Sequence, residues 1–85
     1  MSEHEIFIVD DDPAVRDSLA VLLEVEGYRV RVFDSAESFL EAWTPQLQGG
    51  LLLDVRMPGM DGLELLERLN KLGNHLPVVV MTGHG

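Results

Sequence analysis

Cysteine is absent from the chain, which removes disulfides and thiolate metal sites together. Cations are scarce: six Lys and Arg stand against fifteen Asp and Glu, for a formal charge of −9. Such a balance disfavours the phosphate backbone of nucleic acid, whose binding draws on clustered Lys and Arg. No apolar stretch approaches the roughly 20 residues that a membrane-spanning helix needs. The opening MSEHEIFIVDDD returns to acidic side chains after a very short apolar run, so it does not read as a secretory signal. His4, His75 and His84 lack paired or helical ligand spacing. What remains is the expectation of a soluble cytoplasmic protein that binds neither nucleic acid nor membrane.

What is present is a core. Hydrophobic residues make up 46% of the 85 residues, too many for disorder and enough for one small domain. Ile6-Phe7-Ile8-Val9 is a continuous apolar run suited to a strand buried on both faces. Asp12 and Pro13 then cap and start a helix whose apolar stripe is Val15, Leu19, Leu22 and Leu23, with Gly27 as its stop. Tyr28 to Phe33 alternates Arg29 and Arg31 with Val30 and Val32, as an edge strand with one wet face would. Asp34-Ser35-Ala36-Glu37 has capping-box spacing ahead of Ala36, Phe39, Leu40 and Trp43 on one helical face.

A turn-rich connection from Thr44 to Gly50 leads to Leu51-Leu52-Leu53, a third buried strand that closes on Asp54. Prolines and glycines mark residues 55–62 as a loop, and Pro58, Gly59 and Gly62 read as turn formers. Leu65, Leu66, Leu69 and Leu72 form the next helical stripe, ended by Gly73-Asn74. Val78-Val79-Val80-Met81 reads as a fourth buried strand. Strands alternating with helices predict an α/β domain with a parallel sheet. An apolar strand this close to the last residue expects cover on both faces and a neighbour, so the sequence reads as cut rather than finished, with an open edge inviting self-association.

Parallel sheets gather their ligand sites at the carboxyl ends of the strands. Asp10 and Asp11 follow the first strand, Asp54 the third and Thr82 the fourth. Carboxylates crowded there repel one another unless a cation intervenes, and Mg2+ suits a set of hard oxygen ligands. A carboxylate beside such an ion can attack a phosphoryl group and become an aspartyl phosphate, with the Thr82 hydroxyl donating to the transferred group. Taken alone, Asp10 and Asp11 would merely favour the positive end of a helix dipole, and Asp12 reads as a helix cap. A magnesium-dependent phosphatase that uses an Asp-x-Asp pair is a rival from the enzyme class, matched by Asp10 and Asp12 but poorly by the segment after Asp54.

Val9-Asp10-Asp11, Asp54-Val55-Arg56-Met57-Pro58-Gly59-Met60-Asp61-Gly62 and Met81-Thr82-Gly83-His84-Gly85 together resemble the motifs of response-regulator receiver domains of two-component systems. The resemblance implies a flavodoxin-like parallel sheet of order 2-1-3-4, with the family's fifth strand and last helices missing from this chain. It implies Asp54 as phosphoacceptor, Thr82 as switch hydroxyl, and Asp10, Asp11, Asp54 and the Arg56 backbone carbonyl as Mg2+ ligands. It further implies a sensor histidine kinase as phosphoryl donor, and a signalling module rather than an enzyme. The Thr82-Gly83-His84-Gly85 ending and the Asp34 to Leu40 stretch most resemble the FixJ-like subgroup, whose members usually carry a helix-turn-helix output domain and regulate transcription. On this reading residues 1–85 are a receiver truncated after its fourth strand, without an output domain. The alternative is a non-switching fragment that acts only through interaction or self-association.

Overall fold

The computed structural model describes residues 5–81. In chain order they form β1 (Glu5–Val9), α1 (Pro13–Val25), β2 (Arg29–Phe33), α2 (Ala36–Ala42), β3 (Gly50–Asp54), α3 (Gly62–Lys71) and β4 (Val78–Met81). All pairings are parallel, and the sheet order is β2-β1-β3-β4. The step from β1 to β2 runs one way along the sheet, and the step from β2 to β3 runs back past β1. Right-handed crossovers therefore put α1 on one face and α2 with α3 on the other.

The buried side chains agree with that division. Phe7 and Val9 of β1 and Leu51 and Leu53 of β3 join Ala36 and Phe39 of α2 and Leu65 and Leu69 of α3 in one core cluster, which includes nothing from α1. Phe39 is its centre, with ring centroids 5.9 Å from Phe7 and 5.2 Å from Phe33. Ile8, one residue out of phase with Phe7 and Val9, is fully buried and points to the opposite face by strand alternation.

Several helix signals hold. Asp12 caps α1 by accepting from the Ala14 N–H at 2.9 Å, with Pro13 in the first turn. Gly27 and Gly73 follow α1 and α3 with φ of 99° and 82°, the left-handed conformation that ends a helix. The capping box does not form at the expected register. Ser35 rather than Asp34 is the N-cap of α2 and accepts from the Ser38 N–H at 3.1 Å. Both residues are competent caps, so tertiary packing chooses between them.

Three expectations are corrected. The α1 stripe is shallow: Val15, Leu19 and Leu23 are half-buried, whereas Leu22 is exposed. On β4, no described side chain is fully buried, and Val79 is 60% exposed. Gly62 belongs to α3 as its first residue rather than to a turn. The edge position of β2 is as expected, but its arginines are not simply wet. The Arg31 guanidinium lies 5.6 Å from the Phe7 ring centroid and 5.5 Å from that of Phe33, stacking its charge on the core's aromatic rim.

Candidate phosphoacceptor and metal site

The strand order reverses between β1 and β3, and a parallel sheet opens a crevice at such a point beyond its carboxyl ends. Asp10 leaves β1 there and Asp54 ends β3. Carboxylate oxygens of Asp10, Asp11 and Asp54 lie within 4.8 Å of one another. Among the described residues this is the only cluster of three or more His, Asp or Glu near enough to share one ion. Asp10 and Asp54 are each 2% exposed, while Asp11 stands in solvent at the mouth.

Each buried acid is held by local backbone. The Asp12 N–H donates to Asp10 Oδ1 at 2.9 Å, and the Arg56 N–H donates to Asp54 Oδ1 at 3.2 Å. The main chain of Asp10 is fixed twice more: its N–H donates to the Phe33 carbonyl at 3.1 Å, and its carbonyl accepts from Arg16 Nη1 at 2.8 Å. Arg16 therefore anchors the end of β1 from the first turn of α1, a role that spacing alone did not reveal. The visible signal was a cation one helical turn into the helix that follows an acidic strand end.

Burial pushes the Asp10 carboxyl above its ordinary value. The Asp12 N–H opposes that shift, and repulsion from Asp54, Asp11 and Asp12 adds to it. Among the described residues, the charges that shift Asp10 are those of other carboxylates, so negative charge gathers around it. An all-carboxylate set of hard oxygens is the chemistry that a small divalent cation such as Mg2+ fits.

The segment after Asp54 is shaped to stay beside the cluster. The Val55 N–H donates to the Met81 carbonyl at 3.1 Å, and the Gly62 N–H donates to the Val55 carbonyl at 3.0 Å, closing the loop of residues 55–61 at its base. Met57 turns its side chain into the core between these ends. A Cβ built on Gly62 would lie 2.2 Å from the Asp54 carbonyl oxygen, so glycine is what allows α3 to begin against the strand bearing Asp54.

Of the residues singled out in the sequence, Asp10, Asp11 and Asp54 converge. Arg56 lies two residues beyond Asp54 with an exposed side chain, which leaves its backbone as the part near the site. Thr82 lies outside the described residues; Met81, the last described residue of β4, pairs in register with Asp54. No helix among the described residues is long and apolar enough to cross a membrane.

Comparison with known proteins points the same way. The family model of the response regulator receiver domain matches residues 6–85. The transcriptional regulatory protein FixJ of Azorhizobium caulinodans is 54% identical over 80 residues, covering 94% of this chain and 38% of that protein. The crystal structure of FixJ-N superposes with a TM-score of 0.88 at 45% identity, covering 100% of this chain and 68% of that one. The structure of the response regulator StyR gives a TM-score of 0.92 at 45% identity, covering 99% of this chain and 42% of that one. The chain spans about two-fifths of the length of the FixJ relatives, from 38% to 42%.

Proposed function

The chain belongs to the response regulator receiver family, and from that premise we propose that it accepts a phosphoryl group on Asp54 from a sensor histidine kinase. The observation that carries the reading is the cluster of Asp10, Asp11 and Asp54 at the sheet's switch point, with carboxylate oxygens within 4.8 Å of one another.

One Asp54 carboxylate oxygen attacks the phosphorus of the donor. A P–O bond to Asp54 forms as the P–N bond to the donor imidazole breaks, and the departing nitrogen keeps the electron pair. The Arg56 N–H on Asp54 Oδ1 fixes the carboxylate plane, which leaves the other oxygen as the nucleophile. Asp10, Asp11 and Asp54, with the Arg56 carbonyl, would hold Mg2+, and bound there it supplies charge neutralisation for the incoming phosphoryl oxygens. Asp10 is set for this duty by the Asp12 N–H and by Arg16, which fix its carboxylate and its carbonyl. The Thr82 hydroxyl is assigned the switch role, donating to the transferred group once it sits on Asp54. Regulation of transcription through an output domain is the downstream consequence, as the names of the FixJ relatives suggest for those proteins.

The direct test is intact mass after incubation with a small acyl phosphate and MgCl2. The reading expects a single phosphoryl adduct on the parent, none on Asp54→Asn, and none when a chelator replaces the metal. An adduct that survives in Asp54→Asn or ignores the chelator would overturn it. A folded parent that gains no adduct, yet binds its partner equally well with Asp54 replaced, would make the chain a non-switching interaction module.

A further inference from the structure

We infer that Glu37 is a positioning residue for the metal site, acting from α2 through the loop of residues 55–61. This deepens the reading above and rests on it. Because the N-cap of α2 is Ser35, Glu37 does not fold back onto its own helix end as a capping box requires. Its carboxylate crosses to the neighbouring loop instead, where Glu37 Oε2 accepts from the Met60 N–H at 3.3 Å.

The loop is built to receive it. Gly59 has a φ of 74°, and a Cβ built there would lie 3.1 Å from Glu37 Oε2. A side chain at that position would crowd the carboxylate in a backbone conformation that L residues rarely adopt. Among the described residues, this is the only hydrogen bond tying residues 56–61 to an element other than β3 and α3. The near end of the loop is held on Asp54 by the Arg56 N–H, and Met57 anchors its middle in the core. Glu37 fixes the far end. Arg56, whose carbonyl is assigned to the metal, sits between the held near end and Met57, which is held by packing against the core that Met60 also touches. Freeing Met60 loosens the seat of Met57 and with it that carbonyl, without unfolding anything, which weakens binding by the entropy of re-ordering it.

The test is calorimetric titration of the protein with MgCl2 at fixed ionic strength, comparing the parent, Glu37→Ala and Glu37→Gln, with thermal unfolding of each as the check on folding. Loss of one exposed hydrogen bond predicts Mg2+ binding about three- to tenfold weaker in Glu37→Ala. Glu37→Gln keeps an acceptor oxygen and should bind within about twofold of the parent. Glutamine behaving like alanine would assign the effect to long-range charge and overturn the inference. So would Glu37→Ala binding like the parent, which leaves the metal site itself standing. A folded parent that binds no Mg2+ would overturn both this inference and the metal site on which it rests.

Discussion

Replacing Gly62 with alanine sets two forces against each other at the first residue of α3. Helix propensity favours alanine by at most about 1 kcal/mol. Geometry opposes it, because the new Cβ would meet the Asp54 carbonyl oxygen at 2.2 Å, the Val55 Cα at 2.9 Å and the Asp54 carbonyl carbon at 3.0 Å. All three are backbone atoms and cannot rotate aside. The start of α3 must withdraw by on the order of 1 Å, and overpacking of that kind costs about 1–3 kcal/mol. The withdrawal also stretches the Gly62 N–H bond to the Val55 carbonyl, now 3.0 Å, worth about 1 kcal/mol. The net expectation is a loss of about 1–3 kcal/mol. Urea unfolding should show a lower midpoint with an unchanged slope, and Mg2+ affinity should fall as well, because the displaced backbone is the one bearing Asp54. Gly27→Ala is the contrast. Nothing lies within 4 Å of its Cβ, so it carries only the strain of φ 99° and should leave Mg2+ binding unchanged. A Gly62→Ala variant more stable than the parent would refute the close-approach argument.

Three further outcomes follow from the same structure. Asp10→Asn keeps the acceptor for the Asp12 N–H but removes a buried charge repelled by its neighbours, so the metal-free protein should gain on the order of 1 kcal/mol in urea while Mg2+ affinity drops. Asp10 also dictates a pH dependence. Its folded carboxyl is raised above the ordinary 3.8, so the folded state holds more protons than the unfolded one between the two values. The metal-free stability therefore declines as pH rises through that window, and Mg2+ binding weakens as pH falls through it; the urea midpoint of parent minus Asp10→Asn against pH isolates the effect, and a difference that rises with pH would contradict it. Phe39→Ala empties the centre of the core, a loss of about 3–5 kcal/mol that approaches the whole stability of a small domain, so circular dichroism should find it largely unfolded.

Much of this molecule was legible before its structure. The runs at Ile6–Val9 and Leu51–Leu53 announced β1 and β3 because central parallel strands are buried on both faces and carry no polar alternation. The acids at their ends announced the site for the same reason: a carboxylate closing an apolar strand has nowhere inexpensive to go unless it serves chemistry. The rest depended on contacts between distant segments. Asp34 and Ser35 are equally good caps, and only packing decides for Ser35, which frees Glu37 for Met60. Gly62 looked like one more turn glycine, because its close approach to Asp54 exists only once α3 docks on β3. Leu22 fits the periodicity of α1 yet stays exposed, since the helix lies over β2 and β1 and meets them on a narrow stripe.

The central claim is that the phosphoryl group is carried by Asp54, and reductive trapping addresses it most directly. The parent is incubated with MgCl2 and a small acyl phosphate, treated with borohydride to convert any acyl phosphate to an alcohol, and digested for peptide mass analysis. Conversion of the Asp54 side chain to that of homoserine, and of no other acid, is the predicted result. Conversion at Asp10, Asp11 or Asp12 instead of Asp54 would contradict the account.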